Sequence, residues 1–253
     1  MPTEPSVAFA TIHHEQRGIG VVAPFDFALD RELWRWVPDD VSLYLTRMPF
    51  LTTPVTVEMA AAVSERGVVR RATRDVLTPE PDVVTYACAS GSFVDGVLGE
   101  RLLVRTMLDM GAPAARTTSG ALVEALTVLG VRKLAIATPY IEAVTARLVG
   151  YLAENGVRTV ASSGLGLLGH IWRVPYAKVI EIVRSVDCPE ADAMFISCTN
   201  LPTYDVIEPL EQALGKPVLT ANQVTMWSAL RAMGLRGVGA GQSLLQVAQA
   251  SAA

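Results

Sequence analysis

The chain lacks the features that mark several large classes of protein. Its apolar runs are short and broken by glycine, proline and charged residues, so none can cross a bilayer, although 51% of its residues are hydrophobic. It also lacks the basic excess that nucleic acids and anionic membranes attract, because the net charge is -4 and the isoelectric point is about 5.4. We therefore expect binding to neither nucleic acid nor membrane.

Cysteine and lysine are scarce. The three cysteines, Cys88, Cys188 and Cys198, are too few for a disulfide scaffold, and no CxxC or Cys/His cluster offers a metal site. Of the three lysines, two fall at expected strand starts and one in an exposed helix, so none is an attractive Schiff-base residue for pyridoxal phosphate. We expect reduced thiols and a protein that uses no metal or cofactor.

Residues 1–16 are polar and have no periodic pattern, and they predict an N-terminal arm in which His13 and His14 are solvated. This arm does not have the charged start, apolar core and small-residue cleavage site of a signal peptide. A cytoplasmic location is therefore expected.

An internal repeat organises the remaining chain. In Asp82–Cys88 and again in Asp192–Cys198, an aspartate precedes five strand-forming residues that a cysteine closes. The flanking segments match as well: Arg17–Pro24 with Arg132–Pro139, and Pro113–Gly130 with Pro217–Gly234. Strands and helices alternate throughout, and one long helix is expected from Thr56 to about Leu77. This alternation is typical of parallel sheets. We predict an α/β fold of two pseudo-symmetric domains, each a parallel sheet flanked by helices: 17–118 plus 222–253 form one half, and 119–221 the other.

The repeat places Cys88 and Cys198 at the carboxyl ends of strands, where ligands bind in open parallel sheets. If the halves face each other, the active site lies in the cleft between them, with one thiol on either side of a small substrate. A thiol whose pKa is lowered by N–H groups at a helix start could act as base or nucleophile, and the opposite thiol as acid. The donors that follow Cys88 and Cys198 suit a small mono- or dicarboxylate.

Several other residues could serve packing or capping instead of taking part in the site. Cys188 is expected only to fill space. Tyr140, just after a strand end, serves packing or ligand contact, and His170 in the Gly-rich loop 162–175 serves structure or a polar contact in the cleft. Asp26 is either a helix cap or a substrate contact.

Four segments resemble the aspartate/glutamate racemase superfamily, and the resemblance covers the chain from Gly18 to about Gly241. The most similar branch contains maleate cis-trans isomerase, arylmalonate decarboxylase and the racemase-like protein of ectoine utilisation. The segments are Tyr86-Ala-Cys-Ala-Ser-Gly-Ser-Phe, Ile196-Ser-Cys-Thr-Asn-Leu-Pro-Thr, Thr138-Pro-Tyr and Ser119-Gly-Ala-Leu-Val-Glu-Ala-Leu.

The resemblance implies a two-domain α/β enzyme without cofactor, in which Ala89, Ser90 and Tyr140 bind a carboxylate and Thr199 adds a backbone contact. In maleate isomerases the first cysteine adds to the substrate double bond and the second supplies a proton. Cys88 and Cys198 would take these roles.

The chain departs from that pattern in three ways. Asp26 and His170 stand where maleate isomerases have asparagines, and an aspartate would repel a dicarboxylate unless it is turned away. Arylmalonate decarboxylases lack the first thiol, which this chain has, so decarboxylation is less favoured.

The sequence therefore predicts a cofactor-independent two-cysteine isomerase of a small carboxylate, most similar to maleate isomerase. An Asp/Glu-type amino-acid racemase and an ectoine-utilisation racemase-like enzyme stay open. A catalytically silent small-acid-binding protein is the alternative of another class. Exposed apolar helices, such as the one expected to carry Trp34 and Trp36, favour a homo-oligomer, a dimer or a tetramer.

Overall fold

The computed structural model describes residues 16–239 and 241–247, and within these ranges strands and helices alternate along the chain. No helix of this part is both long and apolar enough to cross a membrane. The predicted arm, including His13 and His14, lies outside the described residues. The strands are β1 Arg17–Ala23, β2 Val41–Arg47, β3 Val83–Tyr86, β4 Ala115–Thr117, β5 Lys133–Thr138, β6 Arg158–Gly164, β7 Ala193–Ile196 and β8 Val218–Thr220.

Helices fill nearly every connection between successive strands. They are α1 Asp30–Trp34, α2 Val57–Ser64, α3 Arg66–Val76, α4 Ala89–Phe93, α5 Gly96–Asp109, α6 Thr118–Leu129, α7 Glu142–Glu154, α8 Tyr176–Val186, α9 Tyr204–Leu214 and α10 Ala221–Ala232. Single 3-10 turns occur at Ile171–Arg173 and Ser243–Gln246.

The strands form two four-stranded sheets, both entirely parallel. Their orders are β2-β1-β3-β4 and β6-β5-β7-β8, so the second sheet repeats the topology of the first. The predicted α/β fold with two similar halves is confirmed. Helix α10 contacts β3 and β4 of the first sheet and β8 of the second. The domain boundaries given above stay a prediction.

The two halves repeat small structural devices as well as topology. The carboxylate of Asp82 accepts a hydrogen bond from the Gly18 N–H at 2.8 Å, and that of Asp192 accepts one from the Lys133 N–H at 2.8 Å. Each aspartate therefore ties the start of the first strand of its sheet to the start of the cysteine strand, at the end remote from the thiols.

Three expectations about local structure were wrong. The single helix expected from Thr56 to about Leu77 is interrupted at Glu65 (φ -56°, ψ 133°), whose carboxylate accepts hydrogen bonds from the N–H groups of Gly67 and Val68 and so caps α3. The three-residue strand β4 was not predicted, because it is too short to show a period. Trp36 is fully buried and its indole N–H donates to Gln242, so of the two tryptophans only Trp34 is exposed.

Candidate active site

Cys88 lies at the junction of β3 and α4. Its backbone is extended (φ -137°, ψ 112°) and it occupies the position that precedes the first residue of the helix. The carbonyl oxygen of Cys88 accepts a hydrogen bond from the Ser92 N–H at 3.2 Å, and its Sγ lies 3.8 Å from the hydroxyl of Ser90. Strand and helix together therefore direct the thiol to the carboxyl edge of the first sheet.

Cys198 lies at the equivalent edge of the second sheet, just after β7, in a different backbone conformation. Its φ is +90°, a left-handed value that residues other than glycine rarely adopt. The Asn200 N–H donates to the Cys198 Sγ at 3.4 Å, and the Leu201 N–H donates to the Cys198 carbonyl at 3.2 Å. A tight turn therefore orients this thiol, and α9 begins only at Tyr204.

Both thiols line one cavity between the two halves. It encloses about 320 Å³ not occupied by protein atoms, part of which is open solvent. Of the eight predicted site residues, seven line this cavity: Asp26, Cys88, Ala89, Ser90, Tyr140, Cys198 and Thr199. The remaining lining residues are Pro24, Val55, Met59, Ile171 and Asn200.

His170 is the predicted site residue that the structure does not bring to the cavity. It is exposed, has a left-handed backbone (φ +56°), and its ring lies 5.3 Å from that of Trp172. The next residue, Ile171, lines the cavity instead. His170 therefore lies outside the cavity lining, because the turn that begins Ile171–Arg173 places an apolar residue there and leaves the imidazole exposed. Contact of His170 with substrate stays a prediction.

Tyr140 is placed by the end of β5. The hydroxyl of Thr138 accepts a hydrogen bond from the Tyr140 N–H at 3.3 Å, and the Tyr140 ring meets Phe93 edge-to-face at 6.2 Å between centroids. A Cβ on Gly164 would overlap the carbonyl oxygen of Tyr140, so this approach requires glycine. The tyrosine hydroxyl lies near Ser197 and Cys198, close enough to lower the pKa of the Cys198 thiol.

The thiols are less acidic than the sequence led us to expect. Burial raises the pKa of Cys88 to about 11, against the lowering effect of the Gly91 N–H and the Ser90 hydroxyl. Burial likewise raises the pKa of Cys198 to about 12, against the Asn200 N–H and the Tyr140 hydroxyl. The expectation of one thiol with a lowered pKa was wrong, because desolvation of the thiolate outweighs the nearby donors.

Asp26 faces this same space. Its carboxylate is half-buried and raises the pKa of both cysteines through its negative charge. Burial raises the pKa of Asp26 itself, and its own N–H and the Asn200 amide oppose that rise. None of the described residues that line the cavity carries a positive charge.

Contacts across the cleft hold the Cys198 segment against the first half. The hydroxyl of Thr199 donates to the Ala87 carbonyl at 3.1 Å, and the Asn222 amide donates to the Thr199 carbonyl at 2.9 Å. The buried carboxylate of Glu32 accepts hydrogen bonds from the Thr203 N–H at 3.0 Å and the Thr203 hydroxyl at 2.8 Å. These contacts fix the position of one thiol relative to the other.

Sequence reasoning missed the apolar wall of the site and the role of Asn200. Val55 and Met59 come from the first half and Ile171 from the second, and the Val55 N–H donates to the Leu168 carbonyl at 2.9 Å across the cleft. The Cys-Thr-Asn sequence drew attention to Asn200 only as a donor near a helix start. For the apolar residues no local signal exists, because their loops meet only in the folded chain.

The sequence of this chain is similar to those of known proteins. A family model described as arylmalonate decarboxylase matches residues 38–246. A maleate isomerase of Nocardia farcinica (strain IFM 10152) is 30% identical over 246 residues, which cover 91% of this chain and 96% of that protein. An arylmalonate decarboxylase of Bordetella bronchiseptica is 32% identical over 207 residues, covering 78% of this chain and 85% of the relative.

A solved structure shares the fold closely. It is a cysteine-to-serine mutant of the Nocardia farcinica maleate cis-trans isomerase with a covalently bound succinylcysteine intermediate. Its TM-score is 0.81 at 28% sequence identity, and the alignment covers 92% of this chain and 99% of that chain.

Proposed function

We propose, since the chain belongs to the arylmalonate decarboxylase family and is also similar to maleate isomerases, that it is a cofactor-independent isomerase of a small carboxylate. The observation that supports this function is the pair of thiols, Cys88 and Cys198, on one cavity between pseudo-symmetric halves. Ala89, Ser90 and Tyr140 are proposed to hold the substrate carboxylate, with the Thr199 backbone beside Cys198.

The first proposed reaction is cis-trans isomerisation of a maleate-like acid. The Cys88 thiol first loses its proton to solvent, and the thiolate sulfur then forms a bond to one carbon of the double bond while Cys198 gives a proton to the other carbon. The former double bond is now single and rotates. The Cys198 thiolate then takes a proton back from that carbon, the carbon–sulfur bond breaks, and the Cys88 thiolate is restored. The succinylcysteine intermediate of the Nocardia relative supports this sequence of steps.

Racemisation is the second candidate, and two thiols on opposite sides of one carbon favour it. One thiolate would remove the hydrogen from Cα, and the other thiol would return a proton to the opposite face. Reaction in deuterium oxide separates the two reactions, because two-base racemisation incorporates solvent deuterium at Cα. Retention of the original Cα hydrogen excludes it.

The test of the proposed function is a substrate panel with three serine variants. Maleate, aspartate, glutamate and aryl malonates are offered to the wild-type protein and to Cys88→Ser, Cys198→Ser and Cys188→Ser. We expect turnover to fall at least about 100-fold in the first two variants, the scale of a lost acid or base. Cys188→Ser is the matched control, because Cys188 is partly exposed and lies outside the cavity-lining set. Full activity in Cys88→Ser or Cys198→Ser would overturn the function.

The same proteins also test the alternative of a silent acid-binding protein. An enzyme that holds substrate between Cys88 and Cys198 should be protected by that substrate against alkylation by iodoacetamide at both thiols. Absence of turnover on every acid, together with protection of both thiols by at least one of them, would favour the binding protein.

We further propose a homo-oligomer, a dimer or a tetramer, in the cytoplasm. Apolar side chains of Trp34, Leu98 and Leu102 are 46%, 79% and 50% exposed and offer contact area. Light scattering coupled to gel filtration measures the mass directly. A monomer at micromolar concentration would contradict this part of the proposal.

A further inference from the structure

Asp26 is an anionic group in a cavity proposed to bind an anion. Its carboxylate lines the cavity together with Cys88 and Cys198, and no described lining residue offers it a positive charge. Asp26 lies close enough to Cys88 and Cys198 for its charge to raise the pKa of both thiols, so the same charge would repel a second carboxylate held between them. The site therefore has hydrogen-bond donors beside Cys88, which suit an anion, and a negative charge at Asp26, which repels one.

The contacts of the Asp26 segment show that this position is held in place. The Oδ1 of Asn200 accepts a hydrogen bond from the Ala28 N–H at 2.9 Å, and its Nδ2 donates to the Asp26 carbonyl at 3.0 Å. Both bonds cross from the second half to the first and involve backbone groups on either side of Phe27. The side-chain amide of Asn200 thus fixes the backbone of the loop that carries Asp26, and Asp26 is among the residues that line the cavity.

We propose that Asp26 binds a hydrogen-bond donor on the substrate, an ammonium group best of all, so that the preferred substrates are monocarboxylates with an N–H or O–H group rather than dicarboxylates. A half-buried carboxylate without a cation gains a partner from such a ligand, whereas a second carboxylate would repel it. This inference rests on the proposed function, since it assumes that substrate lies between the thiols. It applies to racemisation of an amino or hydroxy acid and to cis-trans isomerisation of a half-amide.

The test compares two ligands of similar length that differ at one end. 4-Aminobutanoate carries an ammonium group where succinate carries a second carboxylate, and binding of each is measured by isothermal titration calorimetry. We expect the wild-type protein to bind 4-aminobutanoate about tenfold more tightly, a difference of about 1.4 kcal/mol. In Asp26→Asn this preference should disappear or reverse, because the negative charge is gone and the shape is kept.

Asp30→Asn is the matched control. It makes the same chemical change four residues away, at an exposed position outside the cavity, and should keep the wild-type preference. Thermal unfolding checks that each variant folds, and Asp26→Ser replaces the asparagine variant if that one does not.

The inference is overturned if wild type binds succinate as tightly as 4-aminobutanoate, if it binds neither, or if Asp26→Asn keeps the preference. Because calorimetry does not depend on turnover, these outcomes are distinct from failure of the proposed function. That failure would show as full activity without Cys88 or Cys198, whatever the ligand preference.

Discussion

Cys88 and Cys198 close equivalent strands, yet the chain leaves the two thiols in different ways. After Cys88 the backbone enters α4 at once from an extended conformation, with φ -137°. After Cys198 the chain makes a tight turn from φ +90°, and the next helix starts six residues later at Tyr204. The duplicated architecture therefore preserves where the sulfurs are, and the turn after each strand decides what surrounds them.

This difference gives the thiols unequal neighbours. Cys88 receives donors from its own helix start, the Gly91 N–H and the Ser90 hydroxyl, whereas Cys198 combines the Asn200 N–H with the Tyr140 hydroxyl from β5. The strained backbone of Cys198, of a kind that costs about 1–3 kcal/mol, persists because cross-cleft hydrogen bonds hold the residues around it. This geometry favours Cys88, beside a helix start, as the nucleophile and Cys198, beside a tyrosine, as the proton donor.

The largest expected effect on turnover comes from replacing one of the two thiols at a time. Cys198→Ser should reduce turnover about a thousandfold and accumulate a covalent substrate adduct on Cys88, because water can slowly supply the proton that completes the adduct but no thiolate remains to take that proton back. Cys88→Ser should lose as much activity without any adduct. Intact-protein mass spectrometry after mixing with maleate or maleamate measures this. Equal adduct on Cys198 in the Cys88→Ser variant would show that the roles are reversed or shared.

The pH dependence of alkylation tests the effect of burial on each thiol. Because burial raises the pKa of Cys88 to about 11 and that of Cys198 to about 12, the reactive thiolate of each is the minor form at neutral pH and grows as pH rises. The iodoacetamide rate of the unliganded protein should increase about tenfold per pH unit from pH 7 to 10 at both sites. A cysteine peptide, with an ordinary pKa of about 8.5, is the control and should level off near pH 9.5. A plateau below pH 9 at Cys88 would contradict the effect of burial.

Gly91 offers a smaller test, on the Cys88 side alone. A Cβ at this position would overlap the buried hydroxyl of Tyr86, which donates to the Val63 carbonyl at 3.0 Å. Gly91→Ala should lower the free energy of unfolding by about 1–3 kcal/mol, the cost of overpacking. In a Tyr86→Phe background the loss should be smaller, because the overlapping oxygen is absent. Urea denaturation of both single variants and the double variant gives the values, and strictly additive losses would refute the predicted overlap.

The smallest effect concerns the helix caps that the halves share. The hydroxyl of Thr117 accepts a hydrogen bond from the Gly120 N–H at 3.0 Å, and that of Thr220 accepts one from the Gln223 N–H at 3.3 Å. Thr220→Ala should cost about 1 kcal/mol of unfolding free energy, the usual loss of a cap. Thr117→Ala should cost about 2 kcal/mol, because its hydroxyl also donates to Glu100 at 2.6 Å. Equal costs in thermal unfolding would mean that the Glu100 contact adds nothing.

Much of the fold was predictable because its signals are local and occur twice. The strands around the two cysteines are short apolar runs with an aspartate before them, and the repeat allows each copy to support the other. The expected helix across Glu65 shows the limit of such patterns. There the apolar period continues, but the carboxylate of Glu65 bonds the backbone of the next turn and starts a second helix.

Neighbouring residues alone establish that two thiols end duplicated strands and that small polar residues follow them. The folded chain was needed to show that Asp26 lines the cavity with both sulfurs, that His170 lies outside its lining, and that burial raises the pKa of each thiol. These properties depend on burial and on contacts between loops far apart in the chain. No local pattern reports the free energy of removing a charge from water.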